Sequence, residues 1–227
     1  LATTADEAAR ARALANWLAS DEFRAGRLNL FVFDFFDQLA AEWDLSFTAE
    51  VLERLIRVVN RLQIVAGFDI LDLGCGTGIL FDLLRRKVGS RGSVTGVDFS
   101  LPMAERAHRN FPFDNVNVVD GDVAALPFRA GCFDMAIAFS SFAHFSDRLS
   151  ALGETRRVLK PGGSLHVIHL MSSKEISEMH HRVGGAVAHD SLPTAPEMTV
   201  LLETAGLVHA RVEDKPGIYL ASAINPK

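Results

Sequence analysis

At 227 residues with 48% hydrophobic side chains, the chain is long enough for one sizeable core and sits near the upper size of a single compact domain. Its 23 Lys and Arg against 28 Asp and Glu leave a net charge of −5, with no run of positive charge, which argues against nucleic acid or an anionic membrane as partner. Two cysteines without paired spacing, Cys75 and Cys132, argue against a disulfide framework. Asp6, Glu7, Arg10 and Arg12 in the first twenty residues spoil a signal peptide or a membrane span, so a cytoplasmic location is expected.

Helices are expected over residues 5–18, an alanine-rich stretch dotted with charge, and over 30–43, a strongly aromatic one. A third, over 48–62, offers Val51, Leu52, Leu55, Ile56, Val58 and Val59 as a buried face, with Arg54, Arg57 and Arg61 turned outward. Residues 1–62 therefore read as an N-terminal helical cap and 63–227 as the core. After Gly67, short apolar runs alternate with helical stretches, the pattern of βαβ units and a parallel sheet. Strands are expected at 70–73, 93–98, 116–119, 133–139 and 164–170, with helices at 80–87, 102–110 and 150–159. A helix at 196–205 leads to two last strands, 207–213 and 217–223, forming an antiparallel hairpin across Lys215-Pro216-Gly217. The fold class is α/β, a doubly wound sheet of seven strands. Residues 171–196 break the alternation with a short helix over 173–183 and a Gly184-Gly185 break. An excursion of that length is usually functional, and this one reads as a lid on the acceptor side.

The strongest local signal is Ile70-Leu71-Asp72-Leu73-Gly74-Cys75-Gly76-Thr77-Gly78-Ile79-Leu80, an apolar strand entering a glycine-dense turn and then a helix. Glycines at alternate positions let the backbone turn tightly and approach a ligand. A dinucleotide fingerprint would need glycine where Ile79 stands, and a phosphate loop would need Lys followed by Ser or Thr after Gly78. A nucleoside without phosphates and with a cationic centre suits the loop better. Asp98 ends the second strand, where a carboxylate accepts from both hydroxyls of a ribose, and Asp122 follows the third, where one can meet an adenine amino group.

These segments, with Gly96 to Ser100 (GVDFS), Gly121-Asp122, Leu126-Pro127-Phe128, Phe133-Asp134 and Leu159 to Gly163 (LKPGG), resemble the ordered motifs of class I S-adenosylmethionine-dependent methyltransferases, most closely the ubiquinone and menaquinone biosynthesis branch. The resemblance spans roughly residues 30–223 and implies a Rossmann-like sheet, S-adenosylmethionine as cofactor and S-adenosylhomocysteine as product. It implies that Asp72, Gly74, Cys75 and Gly76 face the methionine part of the cofactor. Asp98 would hold the ribose, Phe99 and Met103 pack on the adenine, and Asp122 with Val123 meet its amino edge. Phe139 and Ser140 would lie beside the sulfonium. Phe36 and Trp43 fall in the segment that closes over the cofactor in these enzymes, or else form a buried aromatic helix face.

Methyl transfer needs alignment and exclusion of water, and a base only where the acceptor loses a proton. The fourth strand ends in Phe139-Ser140-Ser141-Phe142 rather than the Asn-Pro-Pro-Tyr type motif of nucleobase amino methylation, and no Pro-Cys pair occurs. A small-molecule acceptor is expected. His144, His169, His180 and Asp190 lie where the fourth strand, the fifth strand and the following excursion meet on the acceptor side, as a general base or, with a divalent metal ion, as ligands. On a strand His166 points away from His169. A noncatalytic cofactor-binding sensor or assembly protein is the alternative from a different class, and methyl turnover separates the two.

Overall fold

The computed structural model describes residues 34–40 and 43–227. The helix expected over 5–18 lies outside the described residues, and of the one expected over 30–43, residues 34–39 are described and helical. Five strands run parallel: β1 (Asp69–Leu73), β2 (Ser93–Asp98), β3 (Val116–Asp120), β4 (Phe133–Phe139) and β5 (Leu159–His169). The last two, β6 (Val208–Lys215) and β7 (Ile218–Ile224), form the expected hairpin, and β7 pairs antiparallel to both β5 and β6. The sheet order is β3-β2-β1-β4-β5-β7-β6. Among the described helices are α1 (Ala49–Val59), α2 (Phe81–Val88), α3 (Leu101–Asn110), α4 (Arg148–Val158), α5 (Ser173–Val183) and α6 (Ala195–Thr204).

Local chemistry sets these boundaries. Thr48, Ser100, Asp147 and Ser172 each accept a backbone N–H three residues on, starting α1, α3, α4 and α5. Asp147 begins α4 two residues earlier than the apolar pattern suggested. The central strands are apolar on both faces because helices cover both. Ile70 of β1 enters the cluster under α1 and α2, whereas Leu71 and Leu73 enter the cluster under α4 and α6.

Three expectations change. Leu55, Val58 and Val59 of α1 are buried, but Leu52 and Ile56 are 38% and 43% exposed, because they lie on the flank of the roughly 100° stripe that meets the sheet. Arg54, expected outward, turns in and donates to the carbonyls of Leu170 and Gly217 at 2.6 and 2.8 Å. β5 also begins earlier than expected, since Leu159 pairs with Phe133 before a register shift restores the ladder at Ser164.

The strand order reverses between β1 and β4, so the chains leaving their carboxyl ends diverge and open a crevice, the usual ligand position in such sheets. Residues 171–196 hold α5, a 3-10 turn at Gly185–Val187 and an irregular approach to α6 on that same side. Among the described residues no helix is long and apolar enough to cross a membrane. Both cysteines are free thiols.

Candidate active site

The glycine loop leaves β1 with backbone N–H groups of Gly74 and Cys75 donating to the Val97 carbonyl at 2.8 and 3.0 Å, which pins it against β2. Gly74 and Gly76 adopt φ of 69° and 53°, the left-handed region. A side chain at Gly74 would in addition place its Cβ 2.5 Å from the Cβ of Ser141. Asp98 closes the turn from β2: Oδ2 accepts the Gly76 N–H at 2.7 Å and Oδ1 accepts the Ser100 N–H at 3.0 Å. Burial lifts its pKa to about 6, the two N–H donors oppose that rise, and Asp120 and Asp37 add to it. Asp72 lies beneath the loop, 1% exposed, with Oδ2 bonded to nothing. Burial first, and then the neighbouring Asp98 charge, push it up to about 8.

Above the loop opens a largely apolar pocket with about 630 Å³ of space, its solvent-filled mouth included. Gly74, Cys75, Gly76 and Asp98 form its floor, and Phe99, Met103 and Val123 one wall. Phe139, Ser140, Ser141, His144 and Phe145 form the opposite wall, where β4 ends. Ser140 takes φ of 54°, a strained setting for a residue with a side chain and one that concentrates at functional sites.

The roof comes from the N-terminal segment. Phe36 meets Trp43, Phe99 and His144 edge-on at centroid separations of 5.6, 5.9 and 5.0 Å. Two carboxylates that sequence reasoning missed hold this roof down. Asp37 accepts the Ser100 hydroxyl at 2.5 Å, and Asp44 accepts the Thr77 hydroxyl at 2.5 Å and Arg106 Nε at 3.0 Å. Their partners are 33 to 63 residues away, so no local pattern marks them.

Asp122 is exposed and does not line the pocket. Its Oδ1 accepts the Ala124 N–H at 2.8 Å and caps a turn, while the adjacent Val123 reaches the wall.

His144 sits in a 3-10 turn, Phe142–His144, just after β4. Its Nδ1 lies 2.6 Å from Asp190 Oδ2. A carboxylate oxygen only accepts, so Nδ1 carries a proton, and in the neutral ring Nε2 is the acceptor nitrogen. His180, on the buried face of α5 with Ile176, donates Nδ1–H to the Asp190 carbonyl at 2.7 Å, and its ring lies 4.9 Å from that of His144. His169 is 1% exposed, with both ring nitrogens unbonded and its ring edge-on to Tyr219 at 6.4 Å. Burial, then His144 and His180, push its pKa down to about 3. The four residues thus come together from four segments, but His144 alone of them lines the pocket. His166 points elsewhere, bonded to Ser222 and Ser164 at 2.8 and 3.1 Å. Among the described residues no group of three or more His, Cys, Asp and Glu is arranged to hold a metal ion.

This donor set fits S-adenosylmethionine. The unbonded buried carboxyl of Asp72 gains from a nearby cation, each Asp98 oxygen retains a free acceptor site for a ribose hydroxyl, and the Phe99 and Met103 wall suits a flat base. Among the described residues, no Lys or Arg lines the pocket to meet phosphates.

Residues 70–163 match a family described as a methyltransferase domain. A demethylmenaquinone methyltransferase of Staphylococcus aureus (strain MRSA252) is 41% identical over 108 residues, which is 47% of this chain and 45% of that protein. The chain thus spans about half the length of the curated relatives it matches. A SAM-dependent methyltransferase of Thermotoga maritima superposes with a TM-score of 0.69 at 20% identity, covering 85% of this chain and 99% of that one. Another, from Aquifex aeolicus, gives 0.62 at 23% identity over 78% and 98%. At such identities the superpositions speak for the fold. The domain match holds the glycine loop and Asp98 that form the pocket floor, so this part of the chain is similar to methyltransferases in sequence as well as in fold.

Proposed function

We propose that the chain is a cytoplasmic enzyme that transfers a methyl group from S-adenosylmethionine to a small-molecule acceptor by in-line displacement. The observation that carries this reading is Asp98, oriented by two backbone N–H groups at the carboxyl end of β2 and facing an apolar pocket. The cofactor supplies a methyl group already activated on sulfur. The chain's part is to bind, align and exclude water. Asp98 holds the ribose, Asp72 faces the cationic end, and Asp122 offers Oδ2 to the adenine edge from beside Val123.

Phe36 and Trp43 act as a cap, latched by Asp37 and Asp44. Residues 171–196 wall the acceptor side. His144 takes the acceptor's proton on Nε2, and Asp190 orients the ring and stabilises the imidazolium that forms. His180 supports Asp190 through its carbonyl, and His169 lies behind the others as a neutral ring.

Calorimetry with S-adenosylhomocysteine tests the cofactor reading. Asp98→Ala should cost on the order of 2 to 4 kcal/mol of affinity through lost charge-assisted bonds. Unchanged affinity overturns the assignment, and transfer of a labelled methyl group to any acceptor removes the noncatalytic alternative.

A further inference from the structure

We infer that Arg148 is a positioning residue for the His144–Asp190 pair, tying the turn that carries one to the segment that carries the other. The inference rests on His144 as the base. The two partners are 46 residues apart, one in a 3-10 turn and one on irregular backbone, where no ladder fixes their separation. Nη2 of Arg148 donates to the carbonyl of Ala143, the residue before His144, at 3.2 Å, and to that of Ser191, the residue after Asp190, at 2.5 Å.

Three carbonyls in the stretch 190–193 are taken by side chains. His180 holds that of Asp190 and Tyr219 that of Pro193, at 2.7 and 2.9 Å, but these donors stand on α5 and β7. Among the described residues, the side-chain hydrogen bonds that cross from this stretch to the turn after β4, apart from that of the pair itself, belong to Arg148. Arg148 is itself fixed as the first residue of α4, behind the Asp147 cap, with its guanidinium 5.9 Å from the Phe142 ring centroid. Nε is buried without a partner, so the guanidinium is set by the two carbonyls rather than by satisfying all its donors.

The groups facing the pair are His180 from α5, His169 from β5 and Arg148 from α4, and Arg148 in turn feels Tyr219 from β7 and Glu197 from α6. Burial lowers the pKa of the guanidinium, while Asp190 first, then Tyr219 and Glu197, raise it. Removing its positive charge beside Asp190 strengthens that carboxylate's hold on a protonated His144. A loosened tie weakens the same hold, so the sign of the change in the pH profile distinguishes the two roles.

The test is Arg148→Met in the full chain, with histidine imidazole N–H signals followed by NMR alongside steady-state kinetics. The expected result is loss of the slowly exchanging Nδ1–H signal of His144 and a fall in kcat of roughly 10- to 100-fold, with the KM for the cofactor unchanged. The low-pH limb of the rate profile should move to lower pH. In combination with Asp190→Asn the variant should be no slower than Asp190→Asn alone. A persistent His144 signal, or losses that multiply in the double variant, overturns the inference. If the methionine variant fails to fold, Arg148→Lys, whose nitrogen falls one bond short, takes the same test. Should His144→Gln leave turnover intact, the reading of His144 as base fails, while the imidazole signal still judges the tie on its own.

Discussion

Asp72 is held at an energetic cost in the free protein, because a carboxyl with an unbonded oxygen and 1% exposure favours its neutral form. Its pKa of about 8 in the folded chain stands above the ordinary 3.8, so the folded state keeps a proton that the unfolded state releases. Stability from this group is therefore greatest below about pH 4 and declines as pH rises toward 8. Asp72→Asn should stabilise the free protein at pH 8 by on the order of 2 to 4 kcal/mol, seen as a higher melting temperature, and hardly at all at pH 4. The same substitution should weaken S-adenosylmethionine. In the native protein, binding of that cation near pH 7.5 should release a proton, visible by calorimetry in buffers of different ionisation enthalpy. Equal melting curves for the two proteins across this pH range would sink the account.

At the scale of elements, the N-terminal segment is joined to the core by polar latches as well as by aromatic packing. Asp44 is the more consequential latch because it bridges the glycine loop, through Thr77, and α3, through Arg106. The Arg106 pair is partly exposed, at 33% and 40% for the two side chains, so its share is small, and the Thr77 bond carries most of the effect. Asp44→Ala should leave the core folded and speed release of S-adenosylhomocysteine by roughly 5- to 10-fold, equivalent to about 1 kcal/mol. Stopped-flow release at the wild-type rate would show that the segment is no gate. The stretch after α5 follows the same logic: it joins no strand, and side chains from α4, α5 and β7 take its carbonyls in place of a ladder.

For the whole molecule, the pocket joins both halves of the sheet through the loops after β1, β2 and β4, so ligand binding there should couple to global stability. S-adenosylhomocysteine at 100 times its Kd adds about 2.7 kcal/mol and should raise the melting temperature by roughly 5 to 10 °C. The shift should vanish in Asp98→Ala at the same concentration, and nicotinamide dinucleotides and nucleoside triphosphates should give none in the native chain. A comparable shift with a triphosphate would contradict the phosphate-free character of the pocket.

Much of the parallel sheet was legible because its strands are short apolar runs and its turns are marked by glycine, Asp and Ser, which act on neighbours a few residues away. The hairpin was legible for the same reason, and even its order has a sequence cause. Ile218–Ile224 is apolar nearly throughout and lies inside, against β5, whereas Val208–Lys215 alternates with charge and takes the edge. The loop and Asp98 could be read because a tight turn and a strand-end carboxylate are local devices. Tertiary structure alone decided which flank of α1 stays wet, that Asp122 spends one oxygen on a turn, and that Asp37 and Asp44 latch the roof. It also decided that His144 faces the pocket while His169 and His180 stand behind it, and that Arg148 reaches the carbonyls beside His144 and Asp190. Each of those outcomes depends on the distance between side chains remote in sequence, which the packing of helices on the sheet sets and no local pattern encodes.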